Sequence, residues 1–157
     1  MLRGYSRPVS VSRTEALFLA NVVVARRPGL VLEIGTGFGY SALWLAAGLA
    51  LSDAPGEVVT LDNWSEARST AGRSAAVEMM RRAQLADRVR FVTGSSPDDV
   101  GSAVGQGRAD IVFIDADHHG RQPVSDYAAR RYSPLGLNVG QPPDTLARPG
   151  TRSQRRT

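Results

Sequence analysis

The residues best suited to chemistry fall at four turns, each directly after a short apolar run of the 157-residue chain. The first is a glycine-rich turn, Gly35-Thr-Gly-Phe-Gly39, with Glu33 just before it. Asp62 ends a second apolar run, and Gly94-Ser-Ser96 follows a third. The last turn, Asp115-Ala-Asp-His-His119, places two carboxylates and two imidazoles within five residues. These four turns are therefore the candidate site.

The glycine turn is suited to close contact with a ligand. Gly35, Gly37 and Gly39 can adopt positive φ angles and let a ligand approach the backbone. Their Gly-x-Gly-x-Gly spacing differs from the Gly-x-Gly-x-x-Gly pattern of dinucleotide-binding turns. The carboxylate of Glu33 suits a cationic ligand and would repel a pyrophosphate. The alternatives are a tight turn without a ligand and an edge carboxylate paired with an arginine.

Asp62 and the Asp115 turn add two further kinds of chemistry. An acid where Asp62 lies accepts hydrogen bonds from ribose hydroxyls in Rossmann-type sites, although it could instead cap the loop that follows it. Asp115, Asp117, His118 and His119 could supply a general base. They could also bind a divalent cation through oxygen and imidazole donors, or form a solvated polar loop.

Alternating helices and strands would position these turns. Strands are predicted at residues 30–34, 57–61, 88–93 and 110–114, and helices at 12–27, 41–51, 65–85, from Pro97, and at 122–132. The first helix begins with a Ser12-x-x-Glu15 capping box. Such alternation is typical of an α/β fold with a parallel sheet and helices on both faces. All four turns then lie at the carboxyl edge of the sheet, where open α/β folds bind ligands.

Composition and charge restrict the other classes of function. The chain has no cysteine, which excludes disulfides and thiolate chemistry, and no apolar run approaches the roughly 20 residues of a membrane span. Of the net charge of +4, residues 133–157 supply +3, so a basic tail explains the charge better than a nucleic-acid interface does. Arginines before the apolar stretch at 16–25 loosely resemble a signal peptide, but the capping box favours a helix and hence a cytoplasmic protein.

Taken together, these residues resemble the class I S-adenosylmethionine-dependent methyltransferases. Val31-Leu-Glu-Ile-Gly-Thr-Gly-Phe-Gly-Tyr-Ser41 resembles the first motif of that family, and Phe113-Ile-Asp-Ala-Asp-His-His119 resembles the fourth-strand motif of the catechol and caffeoyl-CoA O-methyltransferases. The resemblance implies a Rossmann-like sheet and transfer of a methyl group to an oxygen of a small-molecule acceptor. It assigns the following residues to S-adenosylmethionine: Glu33, Gly35, Gly37, Gly39, Tyr40, Ser41, Asp62, Ser95, Ser96 and Asp115. Asp115 would also be the first metal-binding acid, and His118 falls where the cation-dependent members place a lysine base.

The chain departs from the family pattern after about Leu135. The acidic pair that completes the family's metal site has no counterpart, since Asp144 is the only acid after Asp126. We therefore expect a methyltransferase core at residues 1–132, an irregular or disordered basic tail at 133–157, and an apparent C-terminal truncation in which the strands after the fourth are missing. A divalent cation is doubtful on the same ground.

Three functions remain open from the sequence. The first is an O-methyltransferase, and the second is a truncated or non-catalytic S-adenosylmethionine-binding fold whose exposed fourth-strand edge would favour a homodimer or aggregation. The third is an NAD(P)-dependent oxidoreductase, which the glycine spacing, Glu33 and the absence of any lysine disfavour. The expected partner is a small-molecule acceptor, with no nucleic acid and no membrane.

Overall fold

We describe residues 10–64, 69–105, 108–116 and 137–140 in a computed structural model of the chain. The helices are α1 (Arg13–Arg26), α2 (Tyr40–Leu51), α3 (Ser69–Arg82) and α4 (Val100–Val104), with a 3₁₀ turn at Ala86–Arg88. The strands are β1 (Leu30–Ile34), β2 (Glu57–Asp62), β3 (Val89–Thr93), β4 (Ile111–Ile114) and β5 (Leu137–Gly140). The strands form one sheet in the order β3-β2-β1-β4-β5, and every neighbouring pair is parallel. The predicted α/β fold class is confirmed.

Local sequence explains where α1 begins and ends. The Ser12 hydroxyl accepts the Glu15 N–H, and the Glu15 carboxylate accepts the Ser12 N–H at 2.7 Å, so the predicted capping box is present. Arg27 ends the helix in the left-handed conformation, and the Pro28-Gly29 pair then leads into β1. The buried face of α1, which includes Leu19 and Val23, lies against α2.

The strands read as continuous apolar runs because both faces of the sheet are covered. Successive side chains point to opposite faces. On one face Val31, Val58 and Ile111 pack against α1 and α2, and on the other Leu32, Val59 and Val112 pack against α4. Because Glu33 follows Val31 by two positions, its side chain is directed to the face that α1 and α2 cover.

Several predicted boundaries differ from the structure. The helix predicted to end at residue 85 ends at Arg82, and two other differences have local causes. The short helix predicted from Pro97 begins only at Val100. Its delay has a local cause, since the Asp99 carboxylate accepts the Ser95 N–H at 2.8 Å and closes a turn over residues 96–99 instead. Asp110 lies just before β4, not within it, and its Oδ2 accepts the N–H groups of Gly29 and Leu30 at 2.7 and 3.0 Å.

A fifth strand corrects two expectations from the sequence. β5 pairs with β4 inside the segment that was predicted to be irregular, so the strands after the fourth are not all missing. It also covers the edge of β4, which a sheet of only four strands would leave exposed. The predicted helix at 122–132 lies outside the described residues. Within the described ranges, no helix is both long enough and apolar enough to cross a bilayer.

Candidate functional site

The four chemistry-bearing turns lie at the carboxyl ends of neighbouring strands. β1 is central, with β2 on one side and β4 on the other, so the chain order reverses between β1 and β4. Backbone hydrogen bonds continue beyond the strands: the Gly35 N–H donates to Leu61, that of Asp115 to Ile34, and that of Gly94 to Asp62. The turns are thereby fixed to one another at the point where open parallel sheets bind ligands.

The three glycines of the first turn have different roles. Gly35 has φ +94°, and a Cβ there would lie 2.3 Å from the Asp115 carbonyl oxygen, so this residue is required by packing. Gly39, with φ +80°, would collide with Ala76 of α3. Gly37, with φ +52°, is exposed, and a Cβ there would meet nothing within 4 Å. The turn is therefore held at both ends and open at its middle.

Asp62 holds the glycine turn from the end of β2. Its Oδ2 accepts the N–H groups of Thr36 and Gly37, both at 3.0 Å, and its Oδ1 accepts that of Trp64 at 2.9 Å. Trp64 has a left-handed φ of 51°, a conformation that side chains rarely adopt without such a constraint. Asp62 thus joins two turns of the site. The alternative that this acid caps the loop after it is therefore present in the structure. Its contact with a ribose stays a prediction.

Glu33 is the most unusual group at this edge of the sheet. Its side chain has 0% exposure and lies in register between Thr60 of β2 and Phe113 of β4. The Thr60 hydroxyl donates to Oε2, while Oε1 is buried and accepts no hydrogen bond from the described residues. No arginine is among the described groups that shift the pKa of this carboxyl, so the alternative of an arginine partner has no support in the described part of the chain.

The surroundings of Glu33 favour its neutral form. Burial raises the pKa of the Glu33 carboxyl to about 7, and the carboxylates of Asp115 and Asp62 act in the same direction. The hydroxyls of Ser41 and Thr60 act in the opposite direction, without overcoming burial. A carboxyl whose pKa is raised toward neutral pH is typical of functional sites, although structural networks also produce such groups.

The other predicted residues are distributed around this centre. Ser41 is buried in the first turn of α2, next to a half-buried Tyr40 whose ring contacts Trp44 edge-on. Ser95 is exposed and Ser96 half-buried beyond β3, and Asp115 is half-buried beyond β4. Asp117, His118 and His119 lie outside the described residues, so the predicted base is not placed. Within 10–64, 69–105, 108–116 and 137–140, no group of three acidic or histidine side chains could hold a metal, and the divalent cation stays a prediction.

Two threonines of the site were not identified from the sequence. Thr60 links Glu33 to Thr36, whose hydroxyl lies 2.6 Å from that of Thr60, and Thr36 in turn donates its backbone N–H to Asp62. A continuous hydrogen-bonded chain therefore connects the buried acid to the glycine turn. The available signal was a polar residue, Thr60, between the apolar residues of the second strand; its register with Glu33 becomes evident only in the sheet.

Comparison with known proteins places this site in a family. A sequence profile of the methyltransferase domain family matches residues 32–132, a range that contains all four turns. The chain belongs to the methyltransferase domain family, as the resemblance implied.

Individual relatives agree with this placement. The chain is 35% identical over 122 residues to a catechol O-methyltransferase of Mycobacterium tuberculosis, covering 78% of this chain and 51% of that protein. It is also similar to the solved structure of an O-methyltransferase from Bacillus cereus in complex with SAH, with 36% identity, a TM-score of 0.66, and coverage of 80% of this chain and 55% of that one. The chain is also similar to the O-methyltransferase TomG of Streptomyces achromogenes, solved in complex with SAM. The identity is 27%, the TM-score is 0.66, and the match covers 80% of this chain and 53% of that one. The chain spans about half the length of these relatives.

Proposed function

We propose that the chain binds S-adenosylmethionine at the carboxyl edge of β1 and β4 and transfers its methyl group to an oxygen of a small molecule. The observation that carries the proposal is the pairing of an open glycine turn at Gly37 with a buried, incompletely bonded acid at Glu33. A cationic ligand matches this acid, whereas the pyrophosphate of a nicotinamide cofactor does not. The names of the relatives, which are O-methyltransferases, support the same reaction class.

The residues of the site fit the parts of this cofactor. Gly37 leaves room beside the backbone, and Tyr40 and Ser41 begin α2 directly behind the turn. Asp62 has further lone pairs beyond its three backbone contacts, which could accept ribose hydroxyls. Ser95 and Ser96 follow β3 on the same side and are proposed to border the adenine. Gly39, at the N-cap of α2, supplies no side chain to the turn.

The reaction requires little covalent chemistry from the protein. When bound, S-adenosylmethionine supplies a methyl group on a positively charged sulfur, which is a good leaving group. In the transfer, the acceptor oxygen would take this methyl group, the electron pair of the carbon–sulfur bond would stay on sulfur, and the hydroxyl proton would have to go to a base. The chain must hold the acceptor in line and take that proton. We assign the proton to His118, with Asp115 beside the acceptor, as predictions from the sequence.

A binding titration and a transfer assay test the proposal separately. Calorimetric titration of the full chain with S-adenosylmethionine and with NAD should show micromolar binding of the first and none of the second. Methyl-labelled cofactor should then label a catechol, the acceptor class that the names of two relatives indicate. Binding without transfer to any hydroxyl compound would instead favour the non-catalytic alternative. Binding of NAD alone would contradict the proposal.

The setting of the reaction remains as the sequence predicts it. A cytoplasmic location and a small-molecule acceptor without nucleic-acid or membrane partners stay predictions. A homodimer also stays a prediction, but β5 covers the strand edge on which it was based. Size-exclusion chromatography with light scattering would measure the oligomeric state directly.

A further inference from the structure

The buried acid at Glu33 has a property that cofactor binding alone does not require. It is enclosed by β2, β4 and α2, and has no exposed surface. Its Oε2 accepts one hydrogen bond, from Thr60, and its Oε1 accepts none of normal geometry from the described residues, although the Ser41 hydroxyl is near enough to favour the carboxylate. An ionised carboxylate in such a place would lack most of the hydrogen bonds that compensate for its removal from water.

The charged groups around Glu33 make its ionisation still less favourable. Asp62, at the end of β2, and Asp115, just after β4, both carry negative charge toward it, and α2 contributes only the neutral hydroxyl of Ser41. No arginine is among the groups that act on it in the described residues. Like charges around a buried acid favour its protonated form. The edge of the sheet therefore combines several acids with no described cation to balance them.

We propose that Glu33 is protonated in the free protein at slightly acid pH and releases its proton when S-adenosylmethionine binds, so that cofactor binding is coupled to proton release. The inference rests on the proposed function, because it takes the positively charged cofactor as the ligand. Glu33 is a positioning residue here: its proton leaves as positive charge arrives, and the resulting carboxylate keeps the Thr60–Thr36 chain bonded toward the glycine turn.

The coupling is large enough to measure. At the effective dielectric of a protein, a unit positive charge about 8 Å from a carboxyl lowers the pKa of that carboxyl by roughly one and a half pH units. Burial and the neighbouring acids set the pKa of Glu33 to about 7 in the free protein. The fraction of a proton released should therefore be largest between about pH 5.5 and 7 and vanish by about pH 9, where Glu33 is already ionised.

Calorimetry in buffers of different ionisation enthalpy measures the proton directly. The full chain is titrated with S-adenosylmethionine at a series of pH values, each in two buffers, and the difference in heat gives the protons released. The cofactor's own amino group also exchanges protons, so the readout is the wild-type value minus that of Glu33→Gln. We expect Glu33→Gln to bind at least about tenfold more weakly and to lack the release.

A second variant, Thr60→Val, tests the coupling independently of Glu33→Gln. Thr60→Val removes the hydrogen bond that favours the carboxylate, so its release should extend to higher pH than in the wild type; this test stands even if Glu33→Gln does not fold. Cofactor binding with the same proton count in wild type and Glu33→Gln at every pH would overturn the inference and leave the proposed function intact. Absence of any cofactor binding by a folded wild-type chain would overturn both.

Discussion

Replacement of Asp62 by asparagine tests whether this acid holds the glycine turn. In the wild type both carboxylate oxygens are used, Oδ2 by the N–H groups of Thr36 and Gly37 and Oδ1 by that of Trp64. Asparagine keeps a single acceptor oxygen and presents an NH₂ group in place of the other. If its oxygen stays with the glycine turn, the NH₂ faces the Trp64 N–H and that hydrogen bond is lost.

The magnitude follows from the number and kind of hydrogen bonds. A hydrogen bond to a charged acceptor contributes about 1.5–3 kcal/mol, and loss of charge weakens the two bonds that remain. Because Asp62 is half-buried, we expect Asp62→Asn to lower the free energy of unfolding by about 2–3 kcal/mol. The freed Trp64 would also relax from its left-handed conformation.

Asp110→Asn is a matched control at the opposite edge of the sheet. Asp110 accepts two backbone N–H groups through the same atom, Oδ2, so an asparagine oxygen can keep both. Asp110→Asn should lower the free energy of unfolding by about 1 kcal/mol or less. It should leave cofactor affinity unchanged, because Asp110 bonds to the start of β1 and the site lies at the other end of that strand.

Urea denaturation and cofactor titration of both variants provide the measurements. The urea midpoint of Asp62→Asn should fall further than that of Asp110→Asn at an unchanged m-value. Its dissociation constant for S-adenosylmethionine should rise by about tenfold or more, since the turn loses its restraint. Equal midpoints and equal affinities for the two variants would refute the assignment of Asp62 as the restraint of the glycine turn.

Three further predictions follow from the same geometry. Gly35→Ala should destabilise the fold by about 3 kcal/mol or more, because its Cβ would lie 2.3 Å from the Asp115 carbonyl oxygen. Gly37→Ala has open space around it and should cost about 1 kcal/mol for its positive φ. Equal urea midpoints for the two variants would contradict this contrast. Because burial raises the pKa of Glu33 from 4.5 to about 7, its contribution to stability is fully present below about pH 4.5 and lost as the pH rises through 7, and Glu33→Gln should remove this decline from a series of urea midpoints. Arg81 and Arg82 donate to Glu78 and lower its pKa to about 2. The contribution of Glu78 to the stability of α3 is therefore present above about pH 4.5 and lost as the pH falls toward 2. The helix signals of wild type and Glu78→Gln in circular dichroism should converge at acid pH, and a constant difference would contradict the ion pairs.

Much of the fold could be predicted because local signals and the hydrophobic pattern agree. β1 occupies the predicted residues 30–34, and α1 begins with the predicted capping box. The predicted helix at 41–51 begins one residue earlier, at Tyr40, and β2 extends one residue further, to Asp62. These differences arise at element ends, where the chain leaves one hydrogen-bonding pattern for another.

Other elements depend on contacts between distant residues. β5 has little pattern of its own in the sequence, and it is a strand because β4 offers it an edge with which to pair. The start of α4 depends on Asp99 bonding back to Ser95. Neither a strand edge nor a side-chain bond of this kind can be read from propensity or periodicity.

The sequence by itself determined which residues could form a site, because glycine spacing and the position of acids after apolar runs are local features. It placed Glu33, Asp62 and Asp115 at one edge of a parallel sheet, and it indicated a cationic ligand. The tertiary structure decided what each residue does. Register between β1 and β2 places Thr60 beside Glu33, the cover of α1 and α2 removes that acid from water, and the meeting of the turns after β1 and β2 makes Asp62 a backbone acceptor. These roles depend on burial and on hydrogen bonds across 25 to 27 positions of the chain, which come into existence only when the sheet has formed.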